Sequence, residues 1–199
     1  MKTFLTSALL SVALVVPAFA EPRPMPVRGE VQSFAPGELT VLSRNGEALN
    51  IKTPDNLQIV SIIPRKVTDI AVGDAVSTTA VPNDAGGLTA LQVSILPAAA
   101  AGANQGQHPW DAAPDSVMTN ATISGVAEGA SENQITMKFG DKTVKMEVPE
   151  TAPVVAFGPG DASLLAKGKE VFIVALKGDD GSLKTDRVIV ESNGVKPPM

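Results

Sequence analysis

One histidine and two aspartates are the residues whose types and spacing could hold a metal ion. His108, Asp111 and Asp115 lie close together in a chain of 199 residues that has a single histidine and no cysteine. Imidazole and carboxylate groups can bind zinc, but zinc sites usually use several histidines or cysteines. We therefore predict no metal site and keep an ion held by His108, Asp111 and Asp115 as an alternative. The simpler interpretation is a polar connecting segment beside Pro109.

The only tryptophan of the chain, Trp110, lies in the same segment. Its large apolar ring is stabilised when it leaves water, so it would be an unusual residue in a freely solvated linker. We predict that Trp110 fills a groove between two folded units and makes a contact between them. Asp111 is predicted to cap a turn beside it.

Catalysis and cofactor binding have little support. A Ser-His-Asp triad would have to use His108, and the sequence contains no Gly-x-Ser-x-Gly segment or phosphate-binding glycine loop. Residues 83–86 and 179–182 resemble fragments of calcium loops, but they lack the full set of spaced oxygen ligands and favour hairpin turns. We predict no catalytic residue, no cofactor and no cofactor-binding residue. A hydrolase with an unrecognised carboxylate site is kept as an alternative, because spacing alone cannot select an acidic pair.

The first twenty residues have the pattern of a secretory signal peptide. Lys2 precedes an apolar run at 8–16, and the segment ends in Ala18-Phe19-Ala20. The run is short for the roughly 20 residues that a membrane-spanning helix needs. We therefore predict cleavage before Glu21, a periplasmic or secreted location, and no stable membrane anchor after cleavage.

The charge balance restricts the partners. The formal net charge is -5, and removing Lys2 with the signal peptide makes it one unit more negative. Nucleic-acid binding depends on lysine and arginine side chains that displace counterions. We expect no nucleic-acid partner, and the predicted partner is an unknown protein or small-molecule ligand.

The chain repeats a pattern at an interval of 95 residues. Residues 69–76 correspond to 164–171, and the same interval relates Pro54 to Pro149 and Leu88 to Leu183. Upstream, Gly29 aligns with Gly125 at an interval of 96. Self-similarity at a fixed interval indicates that one folding unit is used twice.

Each unit has the pattern of a small β-domain. Predicted strands cover 27–33, 39–44, 48–53, 76–81 and 88–96 in the first unit, and 121–128, 134–139, 143–148, 171–176 and 183–191 in the second. A short helical turn is predicted within 64–72 and again after Asp161, which is a suitable N-cap. Three strands, a helical turn and two strands are typical of an OB-type barrel, with a flat sheet or an Ig-like sandwich as alternatives.

These observations predict an all-β protein with two small OB-like β-barrel domains in tandem, each with a short helical turn. The predicted boundaries are a signal peptide at 1–20, a first barrel at 21–96, a linker at 97–120 and a second barrel at 121–199. Each barrel is expected to bury its own core.

Several motifs carry a resemblance to a known family. They are Val-Arg-Gly-Glu-Val at 27–31, the turn and strand at 69–76, the strand at 87–93, and their second copies at 125–126, 168–171 and 181–188. On these motifs the chain resembles a family of exported bacterial proteins of unknown function that contain tandem OB-like β-barrel domains. The resemblance implies a fold and brings no catalytic residues.

The function predicted from the sequence is an exported, non-enzymatic binding or structural module of unknown ligand. The first alternative is a periplasmic metal-binding or metal-handling protein that uses His108 and the nearby carboxylates. The second is the hydrolase named above.

Overall fold

The computed structural model describes residues 23–127 and 133–197, and these residues form an all-β protein, which confirms the predicted class. The predicted signal peptide at 1–20 lies outside the described residues. Within the described ranges, no helix has the length and apolar character needed to cross a membrane.

The first half of the chain contributes six strands. They are β1 (Arg23–Ala35), β2 (Glu38–Ser43), β3 (Ala48–Lys52), β4 (Gln58–Arg65), β5 (Ala75–Pro82) and β6 (Leu88–Ile95). A 3₁₀ helix of three residues, Val67–Asp69, lies between β4 and β5, within the predicted helical turn.

The second half contributes eight strands in its described residues. They are β7 (Gly106–Pro109), β8 (Val117–Ala127), β9 (Asn133–Phe139), β10 (Lys142–Val148), β11 (Val154–Pro159), β12 (Glu170–Lys177), β13 (Leu183–Lys184) and β14 (Arg187–Val190). A second 3₁₀ helix, Ala162–Leu164, lies 95 residues after the first. Asp161 is its N-cap, as predicted, and accepts a hydrogen bond from the backbone N–H of Ser163 at 2.8 Å. The hydrogen bonds from Ser163 lower the pKa of the Asp161 carboxyl.

The strands close into two rings. The first ring runs β1, β2, β3, β13, β12 and back to β1. The second ring runs β8, β9, β10, β6, β5 and back to β8. In the predicted arrangement, residues 21–96 and 121–199 would each close a barrel alone. The observed rings instead exchange strands, because each combines three strands of one half with two strands of the other.

Two strands that the sequence interpretation missed produce this exchange. β4 and β11 pair antiparallel with each other, while β4 also pairs with β14 and β11 with β6. Both strands contain a proline near their ends, Pro64 and Pro159, and proline is a poor residue for a strand interior. The segment Ile59-Val60-Ser61-Ile62-Ile63, which is β-branched except at Ser61, was the signal that could have identified β4.

Each ring has its own hydrophobic core, and each core draws on both halves. The first core consists of Val27, Val31, Leu39, Val41 and Ile51 with Leu165, Val171, Ile173, Ala175, Leu183, Val188 and Val190. The second consists of Ile70, Val76, Ala80, Ala90 and Val93 with Ala121, Ile123, Ile135, Met137, Phe139, Met146, Val148, Ala152 and Val154. The expectation that each half buries its own core is therefore not met, since the apolar faces of one half are covered by strands of the other.

The predicted linker at 97–120 contains regular structure. A 3₁₀ helix at Ala98–Ala100 is followed by β7, which pairs antiparallel with the beginning of β8. This pairing holds residues 106–109 against the second ring.

Candidate functional site

The three residues considered for a metal site have separate surroundings. His108 and Asp115 are exposed, and Asp111 accepts a hydrogen bond from Nη1 of Arg28 at 2.8 Å. The described part of the chain contains no group of three or more His, Asp or Glu side chains arranged to hold a metal ion.

Trp110 belongs to a cluster with Arg28 and Phe172. The guanidinium of Arg28 lies 5.1 Å from the centre of the Trp110 ring and 4.9 Å from the centre of the Phe172 ring. The two rings meet edge to face, with centres 6.3 Å apart. Arg28 and Phe172 are direct neighbours across β1 and β12, so Trp110 covers the outer face of the first ring. Contacts of a cation with two aromatic faces stabilise this arrangement.

A short turn carries Trp110 to this position. The backbone N–H of Trp110 donates to the carbonyl oxygen of Ser116 at 2.7 Å, and the Ser116 hydroxyl donates to the carbonyl oxygen of Trp110 at 2.9 Å. The same hydroxyl accepts from the backbone N–H of Ala113 at 3.1 Å. Ser116, which is buried, therefore holds the turn. The prediction that Asp111 caps it is wrong, because the Asp111 carboxylate pairs with Arg28 instead.

This cluster joins the two rings. The turn at 110–116 lies between β7 and β8. β8 is a strand of the second ring and β7 pairs with it, whereas the contacts of the turn with Arg28 and Phe172 are on the first ring. Nε and Nη2 of Arg28 are buried without a hydrogen-bond partner in the described residues, since aromatic faces surround them. We call residues 110–116 the clamp turn, because their contacts with Arg28 and Phe172 hold the second ring against the first.

A different region offers an open binding surface, which we call the polar groove. It has a volume of about 650 Å³ and lies over the outer faces of β9 and β10, beside the loop between β5 and β6. Its polar lining consists of Asn83, Gln107, Gln134, Thr143, Lys145 and Glu147. Gln134 of β9 and Lys145 and Glu147 of β10 point outward because Ile135 and Met146, their neighbours along the strands, point into the core.

Asn83 holds the loop of the polar groove in place. Its Oδ1 accepts from the backbone N–H of Gly87 at 2.8 Å, and its Nδ2 donates to Oε2 of Glu147 at 3.2 Å and to Oγ1 of Thr89 at 3.3 Å. Gly86 has a φ of 77°, a conformation that favours glycine. Residues 83–86 thus form a hairpin turn, the reading the sequence favoured over a calcium loop.

The acidic segment at 179–182 is also a turn. Oδ1 of Asp180 accepts from the backbone N–H of Ser182 at 2.9 Å. Hydrogen bonds from Ser182 lower the pKa of the Asp180 carboxyl.

The polar groove lies where the second ring is least completely closed. β10 pairs with β6 through only two residue pairs, Met146 with Leu88 and Glu147 with Thr89. Residues 142–145 have no strand neighbour on that side among the described residues. The sequence interpretation did not identify this site, because the groove needs β6 of one half beside β10 of the other.

No family model, curated protein or solved structure matches this chain. The fold and the site define it as a two-ring β-protein with exchanged strands and a polar groove on the second ring.

Proposed function

We propose that this chain is an exported, non-enzymatic binding module made of two OB-type barrels that exchange their last two strands. The order of strands in both rings supports the assignment. When the ring strands are numbered within their own repeats, and β4 and β11, which lie outside the rings, are left out of the count, each ring reads first, second, third, fifth and fourth strand, and the third and fifth are parallel. OB-type barrels bind ligands on the face of their second and third strands, next to the loop between the fourth and fifth. In the second ring these elements are β9, β10 and the β5–β6 loop, which form the polar groove.

The chemistry of the groove favours an uncharged oligosaccharide. Amide and hydroxyl groups of Gln107, Gln134 and Thr143 can both donate and accept hydrogen bonds, as sugar hydroxyls do. The single lysine in the lining, Lys145, is balanced by Glu147. A nucleic acid would require several cationic side chains and stacking aromatic rings.

The observation that carries the proposal is the orientation of Glu147. Asn83 donates to one of its carboxylate oxygens, and the carboxylate is only partly buried in the groove. A carboxylate fixed in this way can accept hydrogen bonds from two neighbouring sugar hydroxyls without losing further side-chain freedom.

A glycan array probed with residues 21–199, followed by calorimetry on the glycans that bind, tests the proposal. Glu147→Gln is expected to weaken binding by roughly tenfold to a hundredfold, since a hydrogen bond to a charged group contributes about 1.5–3 kcal/mol. Glu38→Gln, on the exposed face of β2 in the other ring, is the matched control and should bind as the unmodified protein does. Absence of glycan binding, or equal affinity in Glu147→Gln, contradicts the proposal.

The exported location that we propose is tested by a separate experiment. When the full chain is produced in a Gram-negative host, N-terminal sequencing of the periplasmic protein should give Glu21 as the first residue. Protein that stays in the cytoplasm with Met1 intact contradicts the exported location.

A further inference from the structure

A second groove lies between the two rings, and we call it the inter-ring groove. It has a volume of about 430 Å³. Its lining includes Leu91 and Gln92 of β6, Ala112 of the clamp turn, Pro153 before β11, and Val195 and Lys196 of the C-terminal segment. It is therefore formed by four separate parts of the chain, which the exchange of strands brings together.

Gln92 is the unusual residue of this groove. Its side chain is 5% exposed, and its Nε2 has no hydrogen-bond partner in the described residues. A buried amide without a partner is unfavourable, because it has lost its hydrogen bonds to water.

The other repeat shows what the missing partner is. Gln92 corresponds to Arg187 and Pro153 to Gln58, each at the interval of 95 residues. Nε and Nη2 of Arg187 donate to Oε1 of Gln58 at 3.2 and 2.9 Å. In the second ring the acceptor has been replaced by Pro153, which has no polar side-chain atom. Gln92 therefore lacks the side-chain acceptor that Arg187 has in Gln58.

The surroundings of Gln92 indicate the chemistry of that acceptor. Among the described residues, the lining has one charged side chain, Lys196, and this side chain is paired with Glu170. The lining therefore presents no unpaired charge that would favour a charged ligand. A carboxamide offers one acceptor and two donors, which is complementary to the C=O and N–H of a peptide group. Leu91 has no pairing partner on β5, because the register of β5 and β6 shifts at this point. Its side chain is 38% exposed, and together with Val195 it forms the apolar part of the lining.

We propose that the inter-ring groove binds an extended, uncharged peptide segment whose main-chain amide pairs with the carboxamide of Gln92. An apolar side chain of the peptide packs on Leu91 and Val195. This site is distinct from the polar groove, with which it shares no lining residue.

The test uses residues 21–199 and an array of capped pentapeptides made of Ala, Val, Leu, Pro, Gly and Ser. Peptides that bind are measured by fluorescence polarisation, and their binding should shift the side-chain amide resonances of Gln92 in ¹⁵N NMR spectra. Gln92→Met keeps the size of the side chain and removes the amide, so affinity should fall about tenfold. Arg187→Met, at the equivalent position of the first ring, should leave peptide affinity unchanged.

The variants also separate binding from a structural role. Gln92→Met should not lower the melting temperature, because the Nε2 group has no internal partner to lose. The proposal is overturned if no peptide binds, if Gln92→Met binds as tightly as the unmodified protein, or if this variant melts at a lower temperature. Peptide affinity that depends on Glu147 rather than Gln92 would assign the peptide to the polar groove and likewise overturn it.

Discussion

Ile62 of β4 lies directly opposite Phe157 of β11 in the antiparallel pair that joins the two rings. The two residues are 95 positions apart, the interval that relates the repeated segments of the sequence. A pair of equivalent residues can face each other only on an approximate twofold axis, so this pair marks the centre of the exchange. β4 leads the chain from β1–β3 of the first ring to β5 and β6 of the second, and β11 leads it from β8–β10 of the second ring to β12 and β13 of the first.

Replacing Ile62 should therefore affect the whole protein. Its side chain is fully buried, and Ile62→Ala is expected to lower the free energy of unfolding by about 2–5 kcal/mol. Both rings should still unfold together, in one urea transition seen by far-UV circular dichroism and by Trp110 fluorescence. Val174→Ala is the control, since Val174 is 49% exposed and should change stability by no more than about 0.5 kcal/mol. Two separate transitions would contradict the shared axis.

Cutting the connection between the halves should not separate them. Residues 101–105 are exposed and lie outside the strands, so a protease site inserted there should leave both rings intact. After cleavage, the two fragments should elute together from gel filtration, because each completes the core of both rings. If each half instead closed its own barrel, the two fragments would separate in mild urea and each would stay folded. That result would contradict the exchange of strands between the halves.

The sequence predicted the parts of the fold that depend on local patterns. The strands at 39–44 and 48–53 follow from alternating side chains and from the turn at Asn45-Gly46, and both are present with small shifts of their ends. The repeat also predicted a short helical turn in each half, and the structure has 3₁₀ helices at these two positions. A ring could close with strands of its own half or with strands of the other half. Both arrangements have the same local pattern of apolar and polar residues, so the sequence could not distinguish them.

The sites, like the fold, depend partly on local sequence and partly on contacts between distant residues. The residue type of Trp110 predicted only that it makes a contact. Arg28 and Phe172, which it meets in the structure, are distant in sequence and adjacent only across β1 and β12. The polar groove and the inter-ring groove each combine residues from both halves, so neither forms a cluster along the chain.

Arg28 is predicted to hold the clamp turn. Arg28→Met retains an apolar stem but removes the cation between the two aromatic rings, so we expect a loss of about 1–3 kcal/mol in stability. Trp110 emission should shift to longer wavelength, and the amides of residues 110–116 should exchange faster with solvent. Arg23→Met, at the exposed start of β1, is the control and should change neither signal. Unchanged Trp110 emission in Arg28→Met would show that the clamp does not depend on the guanidinium.

Gly29 and Gly125 align in the sequence repeat, but the structure gives them different surroundings. The backbone N–H of Gly168 donates to the carbonyl oxygen of Val31, and that of Gly73, its equivalent, donates to the carbonyl oxygen of Ile123. These bonds make Val31 and Ile123 equivalent, so β1 and β8 are related by an interval of 92 residues, and Gly29 is not the structural counterpart of Gly125.

The two glycines should therefore respond differently to alanine. A Cβ at Gly29 would lie 2.1 Å from the carbonyl oxygen of Leu42, which belongs to the backbone of β2, whereas at Gly125 the nearest atom is Cβ of Thr136 at 3.5 Å. Gly29→Ala is expected to lower the free energy of unfolding by at least about 3 kcal/mol, because β1 and β2 must move apart. Gly125→Ala should stay within about 0.5 kcal/mol of the unmodified protein. Urea denaturation of both variants measures the difference, and equal stability of the two would show that β1 and β2 are not packed this closely.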